Sequence, residues 1–201
     1  VKLCEGTAKI ITCKESNGFK IKPEELLHNI NNKTKWLILN SPNNPTGAIY
    51  SKTELLNLGK IIEENNIYIL SDEIYEHLTY EKEKFIGFFK TNPHLINKTL
   101  TISGVSKAYA MTGWRMGYAA GDKNLIKAMT KIQGQTTSCP NSIGQKASVA
   151  ALLGDKQPIL DMKNKFQERR QVMFDALNSL DGVTCDMPGG AFYMFPDFSS
   201  H

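Results

Sequence analysis

Lys107 lies in the stretch SGVSKAYAMTGWRMGYAAG, residues 103–121, among small, hydroxyl and aromatic neighbours rather than on a charged surface run. An ammonium partly removed from water loses its proton more readily, and the neutral amine is the form that attacks a carbonyl to make an imine. Arg115 follows eight positions on, with Gly113 and Gly117 allowing close backbone approach. Its permanent charge and planar fork of donors suit a phosphate anchor. Two further clusters have matching chemistry. In Asp72-Glu-Ile-Tyr75 a carboxylate could partner a protonated pyridine nitrogen, and the phenol three residues later could reach the same ring. In Asn44-Pro45-Thr46-Gly47 the Asn44 amide could donate to a ligand oxygen. Taken singly, each has a plainer reading: a surface lysine, a structural ion pair, a strand-end cap, a core aromatic and a turn.

The elements that must carry these residues favour the joint reading. Each cluster follows a short apolar run: residues 36–39 (WLIL), 67–70 (IYIL) and 99–102 (TLTI). Such runs are too short for helices and rich in strand formers, so each is expected to be a buried strand. Between the first two, residues 51–65 are expected to form a helix. Ser51 and Glu54 have capping-box spacing, and Leu55, Leu58 and Ile62 share a face. Strand, helix and strand at this spacing make a βαβ unit with parallel strands. Ligands bind outside the carboxyl ends of such strands, so the three clusters converge on one pocket.

Around this block the pattern predicts a strand at 10–12, a short helix at 23–30 and a further strand at 116–120. A helix is expected over 122–133, and a capping box at Ser142 and Gln145 opens another that stops near Gly154. Pro158 opens a long helix with Ile159, Met162, Phe166, Met173, Leu177 and Leu180 along one side. Residues 183–187 and 191–195 are read as two strands about the Pro188-Gly-Gly turn.

The formal net charge is +4, with Lys and Glu interspersed rather than blocked, so no nucleic-acid footprint is present. Cys4, Cys13, Cys139 and Cys185 are far apart and suggest neither a zinc site nor a disulfide framework, which fits a cytoplasmic setting. No metal and no membrane partner are expected, since no apolar run approaches a membrane span.

Ser41-Pro-Asn-Asn-Pro-Thr-Gly47, Ser71-Asp-Glu-Ile-Tyr75 and Gly104-Val-Ser-Lys-x-x-Ala-Met-x-Gly-x-Arg-Met-Gly117 together resemble the class I/II aminotransferases, fold-type I pyridoxal-phosphate enzymes. Within that family the resemblance is to bacterial aspartate aminotransferases, some of which also use prephenate. The resemblance implies an α/β three-layer sandwich with a mostly parallel sheet, the large domain. Residues 1–155 would belong to it, and 156–201 would be the interdomain helix and the start of a smaller α+β domain.

It also implies pyridoxal 5'-phosphate as cofactor, with Lys107 forming the Schiff base and then shuttling a proton. Asp72 would hold the ring nitrogen protonated, and Tyr75 and Asn44 would bond the phenolic oxygen. Asn44 would also touch the substrate carboxylate, while Ser106 and Arg115 would bind the phosphate. Gly104 stands where many relatives carry a hydroxyl, and Ser103 is the substitute donor.

The implied substrates are an amino acid, aspartate foremost, and a 2-oxo acid. The full-length form would be a homodimer, approached through the loop 135–141. The family is about twice this length, so the expectation is a core piece that binds cofactor weakly and does not turn over alone. The same apparatus also serves C–S lyases and other eliminases, and an aminotransferase-like sensory domain of a transcription regulator.

Overall fold

A computed structural model describes residues 1–80 and 84–201 of the chain. The three apolar runs form strands β1 (Trp36–Asn40), β2 (Tyr68–Asp72) and β3 (Thr99–Gly104), and a fourth strand, β4, spans Gly117–Ala120. The sheet order is β1-β2-β3-β4. The first three strands are parallel, with Asn40 beside Asp72 and Asp72 beside Ile102. β4 runs antiparallel to β3 and pairs Gly117 with Gly104. The α/β class with a mostly parallel sheet is therefore as expected.

Six α-helices accompany the sheet among the described residues: α1 (Pro23–Asn29), α2 (Lys52–Glu64), α3 (Phe88–Thr91), α4 (Lys123–Thr136), α5 (Ser142–Leu153) and α6 (Gln157–Asn178). The crossover helix α2 starts where its capping box predicts. Ser51 Oγ accepts from Glu54 N at 3.3 Å, and Glu54 Oε2 accepts from Ser51 N at 2.7 Å. Side chains alternate across a strand, so Leu39 and Ile69 turn toward α2 and join Leu55, Leu58, Ile61, Ile62 and Phe88 in one core. Trp36, Ile38 and Tyr68 occupy the other face and remain partly exposed, Ile38 at 60%. Asn40 and Asp72 follow the same alternation, which sets them on that more open face at the carboxyl edge.

Four expectations need correction. Residues 10–12 form no strand, because no backbone hydrogen bond holds 7–13 among the described residues, and a strand needs a ladder. The cap of α5 is Asn141 rather than Ser142: Asn141 Oδ1 accepts from Gly144 N at 2.6 Å, leaving Ser142 as the first helical residue. Residues 183–187 and 191–195 do not pair as strands. Among the described residues Thr184 makes an isolated bridge with Asp197, and Gly190 of the intervening turn bridges Thr79 on the loop after β2. The apolar side expected of α6 is also discontinuous. Ile159 is buried and Met162 and Phe166 pack inward, whereas Met173 and Leu180 are about half exposed. Among the described residues, no helix is long and apolar enough to cross a membrane, and no group of His, Cys, Asp and Glu could hold a metal.

Candidate functional site

The parallel register places the three strand ends side by side, and the loops leaving them carry the chemistry. After β1, Asn40 organises its loop. Its Oδ1 accepts from Asn44 N at 2.8 Å, and its Nδ2 donates to Asp72 O at 3.1 Å, tying the first loop to the second strand end. Sequence reasoning missed Asn40, although a short amide side chain at a strand end is the ordinary signal of an Asx-type turn. The Ser41-Pro42 and Asn44-Pro45 peptide bonds are both cis.

After β2, Asp72 is half-buried and its Oδ1 accepts from Ile74 N at 3.2 Å. Among the described residues it has no cationic partner. Glu73 points the opposite way into the core. Its Oε1 accepts from Ser71 Oγ at 2.8 Å and Phe88 N at 3.0 Å, and burial raises its pKa against those two donors. Tyr75 is 3% exposed, with its hydroxyl 2.6 Å from that of Tyr193. Burial, then the contact with Tyr193, holds its phenol well above the ordinary tyrosine range, while the Asn44 amide pulls the other way.

After β3, the chain turns through Val105–Met111, with Tyr109 N bonded to Val105 O and Met111 N to Ser106 O. Lys107 is half-buried, and its Nζ stands 5.6 Å from the centre of the Tyr75 ring and 5.8 Å from that of Phe192. It makes no hydrogen bond or ion pair among the described residues, an uncommon state for a lysine out of full solvent contact. Gly104 has no room for a side chain, because a Cβ there would lie 2.9 Å from Met116 O and 3.1 Å from Ile74 Cδ1. Ser103 is buried and gives its hydroxyl to Glu76 Oε1 at 2.9 Å.

Lys107, Tyr75 and Asn44 are thus brought together, with Asp72 on the neighbouring strand end. Ser106 and Arg115 lie on the β3–β4 connection and share no hydrogen bond with that group or with each other. Arg115 is exposed, adopts a left-handed backbone (φ 55°) and donates from Nη1 to Thr112 O at 2.9 Å. Phe192 and Tyr193 complete the cluster and were not foreseen. Both come from the segment after the Pro188-Gly-Gly turn, which was read as a strand. Two consecutive glycines before an aromatic pair were the available sign of close docking.

The donor set is an unpaired amine, a carboxylate without a cation, a phenol, an amide and a guanidinium at one sheet edge. It matches a ligand carrying a carbonyl, a basic ring nitrogen, a phenolic oxygen and a phosphate.

Comparison with known proteins bears on this arrangement. Residues 1–201 match the family model for aminotransferase class I and II. The chain is 46% identical over 196 residues to an aspartate aminotransferase of Rhizobium meliloti (strain 1021), covering 97% of this chain and 48% of that protein. It is 47% identical over 197 residues to a probable aspartate/prephenate aminotransferase of Rhizobium leguminosarum bv. phaseoli, covering 98% and 49%. The crystal structure of an aspartate aminotransferase from Rhizobium meliloti superposes with a TM-score of 0.95 at 44% identity, over 98% of this chain and 50% of that one. The chain spans about half the length of the curated relatives it matches.

Proposed function

The chain belongs to the class I and II aminotransferases, and we propose that it carries the cofactor-binding core of a pyridoxal-phosphate-dependent aspartate aminotransferase. The whole protein would exchange an amino group between aspartate and a 2-oxo acid. The observation that carries this reading is the unpaired, half-buried Lys107 amine over the Tyr75 ring, at the edge where β2 ends in Asp72 and the loop after β1 carries Asn44.

When bound, pyridoxal phosphate supplies an electron sink for negative charge at the substrate Cα. The protein's own residues do the rest. Lys107 holds the cofactor through its amine and, once freed, moves the proton at the substrate Cα. Asp72 keeps the ring nitrogen protonated, because a carboxylate beside a basic nitrogen favours its charged form. Tyr75 and Asn44 hydrogen-bond the phenolic oxygen, and Asn44 also meets the substrate carboxylate. Arg115 and Ser106 bind the phosphate, the guanidinium supplying paired donors.

A second acceptor is supported by one specific finding. Several relatives at 46–47% identity carry the name aspartate/prephenate aminotransferase, so prephenate belongs among the 2-oxo acids to test. Residues 1–155 are read as part of the large domain, and 156–201 as the interdomain helix and start of the small one. A homodimer is supported by the uncovered apolar side chains around the exposed 135–141 loop, Ile132 at 65% and Ile143 at 72%. Four free cysteines fit a reducing, cytoplasmic setting.

Pyridoxal phosphate added to the full-length protein should give an imine absorption band that Lys107→Ala abolishes. A band of full strength in that variant rejects Lys107 as the anchor. An amino-donor scan on the full-length protein, aspartate against aromatic amino acids with prephenate among the acceptors, then tests the substrate.

A further inference from the structure

Tyr193 stands 118 residues from Tyr75 in sequence, yet its hydroxyl lies 2.6 Å from the Tyr75 hydroxyl and accepts from Asn44 Nδ2 at 3.4 Å. It therefore joins the two side chains that leave adjacent strand ends. The segment that delivers it is pinned at several points. Gly190 N donates to Gly47 O at 3.0 Å, which fastens it to the Asn44 loop. Tyr80 N donates to Gly189 O at 3.0 Å and Ala191 N to Leu78 O at 2.9 Å, which fastens it to the Tyr75 loop. The Tyr80 hydroxyl donates to Ala191 O, and Arg170 Nη1 donates to Pro188 O at 2.7 Å. Gly47 is required here: its φ is +71°, and a Cβ would lie 2.3 Å from Pro188 Cβ. The next residue, Phe192, packs edge-on against Tyr75 with ring centres 5.5 Å apart and stacks on Phe166 of α6 at 5.1 Å. The position of Tyr193 is thus fixed by backbone on both sides of the site.

We propose that Tyr193 is a positioning residue of this site: its hydroxyl sets the Tyr75 phenol against the Asn44 amide and so governs how strongly Tyr75 donates to the phenolic oxygen of the cofactor. The inference rests on the pyridoxal-phosphate reading above. A phenol with a competing hydroxyl partner has its proton direction chosen by that partner, and hydrogen-bonded groups in a dry site polarise one another. Two groups capable of carrying charge also face Tyr75, Asp72 at the end of β2 and Lys107 over its ring, and both remain in place in the variants below.

The test compares the chain with Tyr193→Phe, Tyr75→Phe and the double variant. Without cofactor, the melting-temperature losses of the two single variants should be non-additive, because each removes the same hydroxyl pair. With pyridoxal phosphate bound, the pH midpoint of the absorption band is followed. A donor to the phenolic oxygen favours its anion and lowers that midpoint, so Tyr75→Phe should raise it. Tyr193→Phe should raise it by less, about half a pH unit on the scale of one modest hydrogen bond. Most of that shift should vanish in the Tyr75→Phe background.

A midpoint unmoved by Tyr193→Phe, or a shift undiminished in the double variant, overturns the proposal; so do strictly additive melting losses. A role confined to packing would lower the melting temperature and leave the midpoint alone. Absence of any cofactor band in the parent chain, with non-additive melting losses, would instead remove the cofactor reading and leave the phenol pair intact.

Discussion

Beneath α2 the interior is mainly aliphatic, with Leu55, Leu58, Ile61, Ile62, Ile67 and Ile69 all buried beside Tyr50 and Phe88. At the carboxyl edge the buried set is small, Tyr75, Leu78 and Ala191, and it is rimmed by Tyr193, Phe166 and Met162. The first region is held by area removed from water. The second is held by backbone hydrogen bonds from residues 188–191 and by facing hydroxyls. The contrast teaches where each kind of damage should appear: loss of bulk under α2 costs folding, whereas loss of registry at the edge costs the site.

The largest test of that contrast is Ile62→Ala. Ile62 is fully buried, and truncating it should lower the unfolding free energy by about 4 kcal/mol in urea titration. The surviving folded protein should bind pyridoxal phosphate as before; weakened binding would merge the two regions. Gly47→Ala should cost less stability, about 2 kcal/mol, from a strained backbone and a displaced Pro188. Unlike the core change, it should weaken cofactor binding measured by the absorption band.

Glu73→Gln should have the smallest effect at neutral pH, within about 1 kcal/mol of the parent. Its signature is in the pH dependence. Burial raises the folded-state pKa of Glu73, so its contribution to stability is fully present below the ordinary glutamate value and is lost as the pH rises through the raised one. The glutamine variant should lack that decline. A parallel pH profile in both proteins would show that Glu73 does not titrate in the folded state as its setting requires.

The same contrast explains what was legible in the sequence. Elements fixed by local chemistry were readable: the apolar runs of β1 to β3, the Ser51–Glu54 capping box, the 3.6-residue stripe of α2. The placement of Asp72, Tyr75, Asn44 and Lys107 at one edge was also readable, because Asp72 ends β2 and the other three lie on the loops that leave β1, β2 and β3. Tyr193 and Asn40 were not readable, since their importance lies in partners 118 and 32 residues away that no periodicity reports. Residues 10–12 have strand composition and no ladder, and 191–195 have strand composition but are captured by the edge. In both cases tertiary surroundings overrode propensity. Arg115 was identified by type and spacing, yet its exposed guanidinium bonds only its own turn at Thr112.

The β3–β4 pairing has a consequence for that arginine. Gly104 and Gly117 close an antiparallel bracket, and the connection between its legs holds Lys107 near one leg and Arg115 near the other. Between them the turn is cross-tied, Ala110 N to Lys107 O, Trp114 N to Met111 O and Arg115 N to Thr112 O. The backbone separation of Lys107 and Arg115 is therefore a gauge set by residue count, much as the span of a staple is set by its crown. A one-residue insertion or deletion there would recut the gauge, even with every side chain of the site retained.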